Sequence, residues 1–237
     1  MCWSYPENKE IIDSLILKRE IIITSDGSTT IHLPQWDEQY HSKFGAIQES
    51  YHVFIKNGLD LFETGIEISV LEIGFGTGLN CFITFLEGRN NNLKIDYTGV
   101  EAYPVKQDEV DRLNYVVELK AISDRKIFND MHLFSWNKRH ALSSSFILLK
   151  KKEFFENIKD TNRYNLIYFD AFGAQVQPEL WTAGIFKKMY QALKPNGILV
   201  TYSSKGSVRR AMQEAGFEVE KLSGPPGKRH MLRAVKY

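Results

Sequence analysis

Between about residue 66 and the carboxyl end, short apolar runs alternate with stretches whose apolar residues recur every three or four positions. The runs Ile68–Ile73, Ile95–Val100, Phe146–Leu149, Leu166–Phe169 and Gly197–Tyr202 are the length of buried strands. Strands alternating with helical patterns predict β-α-β units and a mostly parallel sheet. Phe217–Lys221 and Met231–Val235 flank the turn-rich Leu222-Ser223-Gly224-Pro225-Pro226-Gly227, which predicts an antiparallel hairpin at one sheet edge. Upstream, Ile21–Thr24 and Thr29–His32 surround Ser25-Asp26-Gly27-Ser28 and predict a hairpin around an Asp-Gly turn. From Pro34 to about Gly65 the spacing of Tyr40, Phe44, Ile47, Tyr51 and Phe54 predicts a helical lead-in. The expected architecture is α/β: residues 1–65 as a hairpin and helical extension, packed on a main domain of residues 66–237.

The first strand of that domain runs straight into glycines, in Val70-Leu71-Glu72-Ile73-Gly74-Phe75-Gly76-Thr77-Gly78-Leu79-Asn80, with a helix predicted to start near Leu79. Glycines at this place let a backbone approach a ligand at the carboxyl end of the strand. A dinucleotide site spaces its glycines as G-x-G-x-x-G, whereas here the third falls at Gly78 and Leu79 stands at the dinucleotide position. Glu72, two residues before Gly74, suits a ligand bearing an ammonium group rather than a pyrophosphate. The turn therefore favours S-adenosylmethionine, with dinucleotide binding and a structural glycine turn as alternatives. Glu101 ends the next strand, 25 residues beyond Gly76, where a carboxylate can accept from both ribose hydroxyls. Asp170 ends the strand Asn165–Phe169, at the edge where open α/β sheets bind ligands. The alternative for Asp170 is a helix cap, which the distance to Pro178, a first-turn residue, disfavours.

Length and composition place bounds on this picture. A chain of 237 residues, 43% hydrophobic, is long enough for one well-packed domain. No apolar run approaches the roughly 20 residues of a membrane helix, and Met1–Glu7 lacks the basic-then-apolar order of a secretory signal, so a cytoplasmic protein is expected. Cys2 and Cys81 are read as reduced, structural residues, and no metal site is expected. The six histidines (32, 41, 52, 132, 140 and 230) form no ligand pattern and are read as structural or surface residues. Net charge is +1, yet residues 1–70 hold eleven acids against five bases, and residues 186–237 hold eleven bases against three acids. One end of the chain can thus face a polyanion; a solvated surface of mixed sign is the alternative.

Taken in order, several segments resemble the MnmC-type tRNA methyltransferase domain. They are the glycine turn with Leu79-Asn80, Asp170-Ala171-Phe172 through Pro178-Glu179-Leu180-Trp181, and Tyr202-Ser203-Ser204-Lys205-Gly206-Ser207-Val208-Arg209-Arg210. Glu214-Ala215-Gly216-Phe217 and Gly227-Lys228-Arg229-His230-Met231-Leu232 complete the series, so that the resemblance runs from about Ile21 to Ala234. It implies a Rossmann-like class I methyltransferase that methylates the amine of 5-aminomethyl-2-thiouridine at the tRNA wobble position. The donor would be held by Glu72, Gly74, Phe75, Gly76, Gly78, Asn80, Glu101, Glu153, Asp170 and Ala171, with Asp170 also catalytic. Substrate contacts would come from Phe172, Trp181, Lys205, Arg209, Arg210, Lys228 and Arg229, the basic ones on phosphates. Trp36, Tyr40 and Trp181 are candidates for stacking on a base, with core packing as their alternative.

Two departures stand out. The two-domain members carry a flavin-dependent oxidoreductase domain that generates the amine, for which this length leaves no room, so a separate enzyme is expected to supply it. Where many proteins of this fold place an acid near adenine, this chain has Lys150-Lys151-Lys152-Glu153, which leaves Glu153 as the candidate. Two rivals remain open: an aminopropyltransferase of polyamine synthesis, and a non-catalytic tRNA-binding module.

Overall fold

In the computed structural model, which describes residues 18–237, the chain opens with β1 (Glu20–Ile23) and β2 (Thr29–Leu33). They pair antiparallel from Ile23↔Thr29 to Glu20↔His32. The loop is wider than a two-residue turn: the Thr24 amide donates to the Ser28 carbonyl at 2.8 Å, and Gly27 takes φ 85° inside it. A two-residue strand, β3 (Glu38–Gln39), adds to β2. Cys2 and the rest of residues 1–17 lie outside the described residues.

The helical lead-in is shorter than its aromatic spacing suggested. Regular helix begins only at α1 (Ala46–Ser50), continuing as a wider π-helical turn over Tyr51–Lys56. Before it, Asp37 (φ 47°) and Gly45 (φ 139°) hold left-handed backbone that an α-helix cannot contain. Tyr40 and Phe44 therefore belong to a loop, and the periodicity they share with Ile47 is accidental. Ala46, Val53 and Phe54 are buried in the main core.

The central strand β4 (Glu67–Ile73) leads through the glycine turn into α2 (Leu79–Asn90). Helix α2 is buried over most of its circumference, as its nearly uninterrupted apolar sequence requires. Then come β5 (Lys94–Val100) and three short helices, α3 (Gln107–Val110), α4 (Tyr115–Glu118) and α5 (Arg125–Leu133). The hairpin β6 (Arg139–Ser143) and β7 (Phe146–Lys151) follows, then β8 (Tyr164–Phe169). Helix α6 (Ala183–Ala192), β9 (Leu193–Thr201), α7 (Gly206–Glu214), β10 (Glu218–Ser223) and β11 (His230–Val235) complete the chain. The eight strands lie in the order β10-β11-β9-β8-β4-β5-β7-β6.

Five of them, β9, β8, β4, β5 and β7, run parallel, and β10, β11 and β6 are antiparallel additions at the two edges. From β4 the chain steps outward one way to β5 and β7, and the other way from β8 to β9. The order reverses between β4 and β8, which opens a crevice beyond their carboxyl ends. Into that crevice the sequence puts Gly74–Gly78 and Asp170. Among the described residues no helix is long and apolar enough to cross a membrane.

Candidate active site

Gly74 starts the turn where β4 and β8 come closest. A Cβ on it would stand 2.6 Å from the Asp170 carbonyl oxygen, and its φ of 88° also excludes other residues. Gly76 (φ 46°) faces the ring of Tyr40, whose nearest carbon lies 3.0 Å from where a Cβ would be. The turn thus presents bare backbone, with an aromatic ring from the amino-terminal segment laid against it.

Asp170 follows the last residue of β8, and its side chain is only 6% exposed. Asn80, in the first turn of α2, donates through Nδ2 to Asp170 Oδ2 at 2.8 Å and to Glu72 Oε1 at 3.0 Å. Its Oδ1 accepts from Ser50 Oγ at 2.6 Å. The second oxygen of Glu72 accepts from the Tyr97 hydroxyl at 2.9 Å, and the residue is wholly buried. Glu72 and Asn80, expected as donor ligands, are therefore engaged with each other beneath the crevice, Asn80 orienting Asp170. Burial holds the Glu72 carboxyl well above the usual range.

Burial pushes the Asp170 carboxyl up to about 7, and the charge of Glu49 adds to the push; the Asn80 hydrogen bond and Lys228 oppose it. His41 Nδ1 lies 3.8 Å from Asp170 Oδ2. His41 Nε2 is 2.8 Å from Thr77 Oγ1, which accepts from the Tyr115 hydroxyl at 3.1 Å. Thr77 thus ties the His41 ring to Tyr115, with the other ring nitrogen turned towards Asp170. Burial favours the neutral ring, pushing it down to about 4.

Beside Asp170 lies a cavity of about 150 Å³, walled by Tyr40, His41, Glu49, Phe172, Tyr202 and Lys228 among others. Phe172 meets Tyr40 at 4.9 Å and Trp36 at 5.9 Å, both edge to face, while Ala171 lines the cavity beside it. Trp181 is not with them. It is buried against Phe169, Phe186 and Tyr202, and its Nε1 donates to the Phe172 carbonyl at 2.7 Å, supporting the Asp170–Phe172 loop instead of facing a substrate. Phe75 likewise turns inward, packing over Gly99, with Trp136 and His132 at its edges.

Glu101 stands at the tip of β5, where Oε2 accepts the Gly76 amide at 3.1 Å and Oε1 the Tyr103 amide at 2.9 Å. Burial raises its carboxyl above the ordinary value. A carboxylate anchored to the glycine turn and bare positive-φ backbone beside it form a donor set that fits a nucleoside with vicinal hydroxyls. Glu153 sits apart, in an open depression with Asn157, Lys159 and Asp160, 3.5 Å from Lys151 Nζ. Lys150 is buried and donates to the His132 carbonyl at 2.6 Å near the end of α5; burial pushes its ammonium down to about 8.

Lys205, Arg209, Arg210 and Arg229 are exposed. Lys228 departs from this group, since it reaches into the cavity. His41, Glu49 and Ser50 carry no sequence motif of their own, and Tyr202 stood in the Tyr202–Arg210 segment without a role. Of the first three, Glu49 alone left a trace, as an acid on the helical face that also holds Ala46 and Val53. Among the described residues no group of three or more His, Cys, Asp or Glu is placed to hold a metal ion, and Cys81 is a free, buried thiol.

Residues 137–237 match the family described as S-adenosyl-L-methionine-dependent methyltransferase. The methyltransferase match thus takes in β7, β8, Asp170 and everything after them. Over 92% of its length the chain is 28% identical to the tRNA 5-methylaminomethyl-2-thiouridine biosynthesis bifunctional protein MnmC of Burkholderia thailandensis, of which it covers 35%. It therefore spans about a third of the length of such curated relatives. Among solved structures, MNMC2 from Aquifex aeolicus superposes with a TM-score of 0.70 at 21% identity, covering 99% of this chain and 78% of that one. Spermidine synthase from Thermotoga maritima superposes at 0.52 and 12% identity, covering 92% and 73%. The fold is accordingly the Rossmann-like methyltransferase fold: the mostly parallel sheet and the β10–β11 edge hairpin agree with the expectation from the sequence, while the antiparallel β6 at the other edge was not expected.

Proposed function

We propose that the protein is an S-adenosylmethionine-dependent N-methyltransferase that converts 5-aminomethyl-2-thiouridine at the tRNA wobble position to 5-methylaminomethyl-2-thiouridine. The observation that carries this reading is the buried Asp170 at the switch point, beside the glycine turn and at the edge of an aromatic-walled cavity. Likeness to the MnmC proteins over most of the chain supports the choice of substrate. Residues 66–237 form the donor-binding unit, and the preceding segment walls its substrate side. The chain works in the cytoplasm, and a separate enzyme supplies the aminomethyl group.

Glu101 accepts hydrogen bonds from the donor's ribose hydroxyls, and the Gly74–Gly78 backbone lies along its methionine end. The bound donor supplies an activated methyl on a sulfonium, so the protein has to align the amine and remove its proton. An alkyl amine is largely protonated near neutrality. Asp170, ionised above about pH 7, accepts one N–H proton and leaves the nitrogen lone pair free. Asn80 holds the carboxylate in place with His41 beside it, Trp36 and Phe172 flank the base, and Lys205, Arg209, Arg210 and Arg229 meet phosphates.

Incubation with labelled donor and hypomodified tRNA, followed by mass analysis of the wobble nucleoside, tests the proposal. One added methyl on the aminomethyl group is the expected result. Aminopropyl transfer from decarboxylated donor to a polyamine would replace this reading with the one the spermidine synthase fold permits, and absence of donor binding in calorimetry would leave a tRNA-binding module.

A further inference from the structure

The loop between β10 and β11 folds back over the cavity and delivers a single cation into it. Lys228 Nζ stands 3.9 Å from the centre of the Tyr202 ring and donates to Glu49 Oε1. The other oxygen of Glu49 accepts the Ser42 amide at 2.9 Å, and the residue is 4% exposed. Around this ion pair the cavity offers an aromatic face and a buried carboxylate, with Ala171, next to Asp170 in the chain, in its wall. These are the groups that recognise a primary ammonium. They do not make a phosphate site: Lys43 also lines the cavity, but Glu38 and Glu49 share its wall and Lys228 is held by Glu49.

We infer that Glu49 and Tyr202 form the recognition site for the substrate's ammonium, and that Lys228 occupies it as an internal place-holder which withdraws when the amine enters. The inference rests on the proposed function in one respect, that the substrate carries a primary aminomethyl group. The exchange replaces one ammonium by another, so Glu49 is never left buried without a counter-charge. It also explains selectivity. A hydroxymethyl group in the same position would displace Lys228 only by stranding the Glu49 charge, and a site built for a charged group rejects the neutral isostere for that reason. Once withdrawn, Lys228 joins the neighbouring Arg229 on the basic side of the molecule.

Benzylammonium, an aromatic methylamine with neither ribose nor phosphate, is the probe, with benzyl alcohol as its neutral control. Titration calorimetry on the full chain compares the parent with three variants whose folding is checked by thermal melting. Lys228→Met removes the competing cation, and benzylammonium affinity should rise by about tenfold or more. Tyr202→Leu keeps the ion pair and removes the ring, so affinity should fall by about tenfold, whereas Tyr202→Phe should stay within a few-fold of the parent. Benzyl alcohol should not distinguish the proteins. A folded Lys228→Met protein that binds benzylammonium no better than the parent overturns the place-holder; if that variant does not fold, equal binding by Tyr202→Leu and the parent overturns the site. Should the probe bind in the expected pattern while tRNA stays unmethylated, the ammonium site stands and only the substrate reading fails.

Discussion

Asp170 is held between opposing influences: burial and Glu49 raise its proton affinity, while Asn80 and Lys228 lower it. Asp170→Asn keeps the shape but presents an amide where the amine needs an acceptor. Single-turnover methylation of tRNA should slow by about a hundredfold, with donor affinity within a few-fold of the parent. The parent rate should climb through about pH 7, and the variant should lose that limb. Stability gives an independent check. Between the ordinary carboxyl value and about 7 the folded parent keeps a proton that the unfolded chain has released, so its stability falls as pH rises across that window. Denaturant titrations at about pH 5 and about pH 8 should show this fall, of a few kcal/mol at most, larger in the parent than in the Asn variant, where only Glu72 and Glu101 still contribute to it. His41→Phe replaces the polar ring edge 3.8 Å from Asp170 by an apolar one, so the acid limb should move to higher pH and the rate below it should drop by about tenfold. Asp170, Glu101 and the glycines were legible as residues of the sheet's carboxyl edge because each is fixed by its position on its own strand. His41, Glu49 and Tyr202 were not, since only tertiary contacts assemble them: Ser50 meets Asn80 across 30 positions, and Lys228 meets Glu49 across 179. The partners of Glu72 were hidden for a related reason, because a strand's sequence does not tell which of its polar residues lies under a helix.

Among the elements, the central strands declared themselves through uninterrupted apolar runs, as strands covered on both faces do. β6 left no such signal: Arg139-His140-Ala141-Leu142-Ser143 buries only Leu142 at the sheet's outer edge. Aromatic spacing misled in the opposite direction before α1, where left-handed backbone at Asp37 and Gly45 ends any helix whatever the side chains suggest. The glycine turn carries the prediction at this scale. Gly76→Ala would place a Cβ 3.0 Å from Tyr40 on backbone at φ 46°, which combines a left-handed penalty of about 1 kcal/mol with displacement of the ring. Calorimetry should show donor affinity reduced by about tenfold or more, and melting a modest loss of stability. Gly76→Val, a larger intrusion, would confuse these two effects.

For the molecule as a whole, charge is more informative than its total. The exposed bases of α7 and the β10–β11 loop come from the basic end of the sequence, while the acids Glu49 and Asp170 lie inside the cleft. tRNA affinity should decline steeply with salt, and neutralising Arg209 and Arg210 together should flatten the slope by up to about two while donor affinity stays unchanged. Filter binding across a salt series measures it; a double variant with the parent's slope would return both arginines to plain solvated surface. The pairing of Glu49 with Lys228 has a further consequence, for biosynthesis. During translation Glu49 is made long before the loop that carries Lys228, so its counter-ion arrives only with that loop, 179 positions later.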